Sequence, residues 1–81
     1  MSYTQEQLDE LNVLTLFDLT NHQEGIKIHS NAAPALVTAA QRLHDKGLIT
    51  QQDGGYLTHL GIEAAEFTQT LLTILTSEQQ G

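Results

Sequence analysis

Apolar positions along this chain fall into four patterns, and each predicts its own element. From Gln5 to Asp18, Leu8, Leu11, Leu14 (or Thr15) and Asp18 recur three and four apart, and Val13, Leu16 and Phe17 widen the stripe. That period predicts an amphipathic helix. Thr4 followed by Gln7 fits a capping box at its start. Glu6, Asp9 and Glu10 put negative charge in the first turns, where the helix dipole favours it. A stripe this wide suits contact on two sides, with its own domain and with a second copy, although core burial is the commoner use.

The stretch from Leu19 to Ser30 mixes two signals. Thr20 with Gln23 again resembles a capping box, which predicts a short helix from Asn21 that ends near Gly25. Ile26-Lys27-Ile28 then alternates as a strand does, with both isoleucines expected in the core. From Ala32 to Lys46 helical spacing returns. Ser30 or Asn31 can cap this helix, and Pro34 falls in the first turn, where its missing N–H costs nothing. Leu36, Ala39 (or Ala40) and Leu43 keep one apolar face, while Ala35, Thr38, Gln41, Arg42 and Asp45 make the other small and polar. Arg42 and Asp45 stand three apart, within reach of a surface pair. Gly47 is placed to stop the helix in the left-handed conformation.

Leu48-Ile49-Thr50 and Tyr56-Leu57-Thr58 are β-prone runs around Gln51-Gln52-Asp53-Gly54-Gly55, where Asp-Gly signals a hairpin turn. Thr58 caps a last helix beginning near His59. In that helix Leu60, Ala64, Phe67, Leu71 and Ile74 (or Leu75) alternate four and three apart, as a coiled-coil seam does, and Leu72 and Leu75 enlarge the apolar face. The expected architecture is one domain over residues 1–76, mainly α with a small β-hairpin, followed by a frayed polar tail over 77–81.

Composition changes this picture in one respect. The chain has 81 residues, enough for one small domain with an aliphatic core, since it lacks Trp and has two Phe. It has no Cys, hence no disulfide framework. No segment reads as a secretion signal or a membrane span, so the cytoplasm of a bacterial-type cell is the expected compartment. The charge is the informative quantity. Three basic residues, Lys27, Arg42 and Lys46, face ten acidic ones, for a net charge of -7. That balance opposes phosphate backbones and anionic membranes.

The run Arg42-Leu43, Lys46-Gly47-Leu48-Ile49, then Tyr56-Leu57-Thr58 and Leu60-Gly61, resembles the helix-turn-helix and wing of winged-helix regulators of the MarR and PadR groups. The resemblance covers residues 31–66. The whole chain also resembles a family of short bacterial proteins without an assigned function. The first resemblance implies a winged helix-turn-helix with a long C-terminal helix. It implies that the helix from Ala32 to Lys46 lies in the major groove with Asn31, Ala35, Thr38 and Gln41 towards base edges. Arg42, Lys46 and Lys27 would then meet phosphates, and the wing of Gln51, Gln52, Asp53, Gly54 and Gly55 would touch the backbone or the minor groove. The chain departs from that pattern: the wing tip lacks Arg or Lys, and a face of Ala and Thr offers few bidentate base contacts.

His22, His29, His44 and His59 show no i,i+4 pair and have no Cys neighbour, so neither a metal site nor a cofactor is expected. The carboxylates sit at helix starts and on polar faces, and no nucleophile motif or phosphate loop is present, so no enzymatic activity is expected. Two functions remain. The first is a small DNA-binding regulator acting as a homodimer, with DNA binding weak or partner-assisted. The alternative is an acidic protein-interaction module without DNA binding. The expected dimer face is Leu60, Ala64, Phe67, Leu71, Leu72 and Leu75.

Overall fold

The computed structural model describes residues 1–77. Its elements are α1 (Gln5–Leu14), β1 (Ile26–Lys27), α2 (Pro34–Asp45), β2 (Ile49–Gln51), β3 (Gly54–Leu57) and α3 (His59–Thr76). The protein is mainly α, with three helices and a small antiparallel sheet. The expected hairpin is present, but it is two strands of three: the order is β1-β3-β2, with Ile26 opposite Gly55 and Lys27 opposite Gly54. Of the predicted tail, Ser77 caps the end of α3, and residues 78–81 lie outside the described residues.

The predicted capping box at α1 forms in full. The Thr4 hydroxyl accepts from the Gln7 N–H at 3.1 Å, and the Thr4 N–H donates to the Gln7 side chain at 2.9 Å. The helix stops at Leu14, four residues before the predicted end at Asp18. Local side-chain bonds there compete with the helical ladder. The Thr15 hydroxyl donates to Asn12 O at 2.6 Å, and Asp18 Oδ1 accepts from both the N–H and the hydroxyl of Thr20. These two bonds hold the Asp18 carboxyl below the usual range. The short helix expected from Asn21 does not form. Asn21 Oδ1 accepts from the Gln23 N–H at 3.0 Å, so the segment is a series of turns. The second capping-box match was thus a turn signal, since Asp and Asn serve both structures.

The stripe on α1 is rotated from the expected one. Val13, Leu14 and Phe17 are in the core, whereas Leu8 and Leu16 are exposed. With Ile28, Ala39, Ala40, Leu43, Ile49 and Ala65 they form one cluster, against which Ile26 packs half-buried. The alanines let the helices approach closely. Leu43, Ile49 and Val13 fill the centre, each contributing about 1.5–3 kcal/mol of apolar burial.

Helix α2 begins at Pro34, not Ala32, and its N-cap is Ala33, with no side-chain cap from Ser30 or Asn31. A turn closed by the Ala32 N–H on His29 O connects β1 to it, so no helix separates β1 from α2. Gly47 ends α2 at φ 82°, as its position predicts. The hairpin turn is centred on Gln52-Asp53, one residue before the predicted Asp-Gly pair, because Gly54 already opens β3 at φ 127°.

Thr58 joins α2, the sheet and α3. Its hydroxyl accepts from the Gly61 N–H at 3.1 Å and donates to Gly47 O at 2.6 Å, and its N–H donates to Leu48 O at 3.0 Å. Gly61 packs directly on the Leu48 carbonyl, where any Cβ would overlap the oxygen. The Leu-Thr-x-x-Gly spacing is therefore a crossing of two backbones. Thr58→Ala loses the cap and the bond to Gly47, and its expected cost is about 1–2 kcal/mol in chemical denaturation.

Candidate interaction surface

Two surfaces compete for the functional site, the outward face of α2 with the hairpin, and the apolar face of α3 with α1. The first was expected to supply cations. Arg42 and Lys46 lie on the side of α2 that faces α1, and there they meet Glu10. The Arg42 Nε donates to Glu10 Oε2 at 2.8 Å, and the Lys46 ammonium pairs with Oε1. Arg42 also donates to Glu6 O at 3.2 Å and stands 4.0 Å from its carboxylate. The expected surface pair with Asp45 is not made, since a partly buried carboxylate outcompetes a solvated one. Burial pushes the Glu10 carboxyl up, but the hydrogen bonds and charges of Lys46 and Arg42 outweigh it and hold it below its ordinary value.

Lys27 pairs with Asp53 at 3.3 Å, with the lysine largely and the aspartate partly in water. All three Lys and Arg side chains therefore have a carboxylate partner within the chain. The remaining residues of the predicted reading face, Asn31, Ala35, Thr38 and Gln41, are exposed. The Thr38 hydroxyl donates back to Pro34 O at 3.0 Å, which leaves the amides of Asn31 and Gln41 as the polar side chains free to contact a ligand. Gln41 borders an open cleft of about 300 Å³ between α2, the end of β1 and the hairpin turn, with His29, Ser30 and Gln52 on its walls.

The hairpin is strapped down rather than projecting. The Ile28 N–H donates to Asp53 O at 2.7 Å, β1 pairs across Gly54 and Gly55, and both glycines are buried. Gln51 and Gln52 are exposed, and Asp53 is half-buried under its pair with Lys27.

The second surface is apolar. Leu60, Phe67, Leu71, Leu72 and Leu75 are exposed, as is Ile74, and Ala64 is half-buried. Phe67 is 69% and Leu75 72% accessible. The core side of α3 is served instead by Gly61 and Ala65. Gln69 fixes the middle of the helix by donating to Leu14 O and Phe17 O at 3.2 and 2.9 Å, which caps the end of α1. Beyond Gln69, α3 runs beside α1 above an open groove of about 320 Å³, lined by Leu8, Leu11, Leu71, Leu72 and Leu75 with a rim of Gln5, Asn12, Thr15 and Thr68.

Sequence reasoning missed the roles of Glu10 and Gln69, and put Leu8 and Leu11 on the wide α1 stripe without assigning them to the groove beside α3. For Glu10 a signal existed: Glu10, Val13, Leu14 and Phe17 share one helical face, and an acid on a buried face needs cationic partners. Gln69 carried no local signal, since its acceptors lie 52 and 55 residues away.

Among the described residues no three His, Cys, Asp or Glu side chains converge as a metal site would require, and no helix is long and apolar enough to cross a membrane. A protein-family profile described as a family of unknown function (DUF5669) matches residues 1–76. The chain belongs to this family. No curated protein and no solved structure matches it. Membership of DUF5669 spans both surfaces, from the capping box through Leu75, and brings no activity with it.

Proposed function

We propose that this protein is a non-enzymatic, acidic protein-interaction module on a winged-helix-like scaffold, and that it does not bind DNA. The β1-β3-β2 sheet and the hairpin between α2 and α3 support the scaffold reading, although the expected helix-turn-helix is reduced to α2 alone, with turns in place of its first helix. The observation that carries the functional reading is the capture of Arg42 and Lys46 by the buried Glu10. Freeing either cation for a phosphate would leave that carboxylate under-compensated in a partly buried site. Only Lys27, in an exposed pair worth little, is available to a polyanion. One phosphate contact per chain gives a salt slope of about -0.9, too weak to hold DNA against a net charge of -7.

No catalytic role is assigned to the buried acid, because both Glu10 oxygens are engaged. The exposed apolar face of α3 and α1 is the contact surface in this reading, since contiguous apolar area of that kind marks association sites. Fluorescence anisotropy with labelled random-sequence and genomic duplexes at low salt tests it. The expected result is no saturable binding at micromolar protein. Saturable binding that weakens steeply with added salt overturns the proposal and restores the DNA-binding regulator.

A further inference from the structure

We infer that the occupant of the apolar face is a second copy of this chain, joined through the α3 seam with α1 flanking it, as a two-fold, four-helix interface. The inference rests on the interaction-module reading and names its partner.

Two observations converge. The first is periodicity against burial. Leu60, Ala64, Phe67, Leu71 and Ile74 keep the four-three alternation of a coiled coil along α3. Yet four of these five are exposed, and the helix uses its other side for the core. The seam is about 21 Å long at 1.5 Å per residue. A seam of that period fits another helix, because knobs at this spacing enter holes at the same spacing.

The second is charge. From Phe67 to Ser77 there is no ionisable side chain, and none lines the groove beside Leu8 and Leu11. Exposed Glu63 and Glu66 flank the first half of the seam, so two chains of charge -7 meet most favourably along its uncharged second half, from Phe67 on. The groove rim consists of Gln, Asn and Thr, which both donate and accept hydrogen bonds and so match a copy of themselves. A basic partner would instead find no carboxylate among the residues of the groove.

Sedimentation equilibrium across micromolar to millimolar concentration tests the inference, on the wild type and on Phe67→Glu and Leu71→Glu, with Tyr56→Glu as a control on the exposed side of β3. The wild type and the Tyr56 variant are expected to be dimers, and the two seam variants monomers with unchanged circular dichroism. Phe67 is 69% accessible and its substitution leaves the monomer's packing intact, whereas Leu71 also lines the groove beside Leu8 and Leu11, so Phe67→Glu carries the test and the circular dichroism of Leu71→Glu checks its fold. The dimer is expected to tighten as salt rises, because salt screens the mutual repulsion of the two copies. A DNA complex or a complex with a basic protein responds in the opposite direction.

A wild type that stays monomeric at millimolar concentration overturns the second copy as occupant. So does a dimer that survives both seam substitutions, which would place the interface elsewhere. Either outcome without DNA binding leaves the interaction-module reading standing, whereas DNA binding by a dimer overturns that reading and not the seam.

Discussion

Gly61→Ala is expected to destabilise the protein by about 3 kcal/mol or more, at the upper end of what overpacking a tight contact costs. The sign is the informative part. In an ordinary helix an alanine is better than a glycine by up to about 1 kcal/mol. Here the added methyl would overlap the Leu48 carbonyl oxygen, and a backbone atom cannot rotate out of the way. Moving it would pull apart the Thr58 bonds to Gly47 and Leu48, which hold the start of α3 to the end of α2. Thermal unfolding should show a midpoint lowered by roughly 12–24 °C for a domain of this size. A neutral or stabilising result would mean that α3 does not cross the chain at that point.

Glu10→Gln is expected to cost about 2 kcal/mol at neutral pH. Removing one partner of a buried ion pair costs about 3–5 kcal/mol, but Arg42 and Lys46 are 27% and 53% accessible and can turn towards water. The pH dependence separates this effect from simple loss of packing. In the folded chain the Glu10 carboxyl is held below its ordinary value of 4.5. Its contribution is complete above that value and drains away as the pH falls through the lower folded one. The stability gap between wild type and variant, measured by denaturant unfolding, should therefore be constant from pH 8 to 6 and shrink in acid. A gap unchanged at pH 2–3 would show that the carboxylate charge contributes nothing to joining α1 to α2.

Local patterns made much of this fold legible. The capping box at Thr4, the stop at Gly47 and the cap at Thr58 are set by residues within a few positions of one another and appear as the sequence predicts, and the hairpin strands appear within one or two residues of their expected places. The errors have two causes. Where Asp18 and Asn21 bond their own backbone, the same residue types that begin helices made turns instead. The rotation of the α1 stripe was ambiguous because both of its sides are apolar, and only packing against α2 and α3 decides that Val13 and Phe17 turn inward while Leu8 stays out.

The candidate site was legible in half. The seam on α3 is visible as spacing, and its residues stand where that spacing puts them. The fate of the cations was not visible, because the partner of Arg42 lies 32 positions away and that of Lys46 lies 36. A count of charges predicts the sign of the field, whereas only three-dimensional pairing tells which cations remain free to meet a ligand.

Gln69 sets a fulcrum on the last helix. The first half of that rod is clamped to the body through Thr58 and Gly61, and the amide at 69 grips two carbonyls where the opening helix ends. Whatever seizes the far arm must therefore push or pull on the tip of α1, so a load applied outside is delivered to the heart of the domain rather than absorbed by a loose appendage.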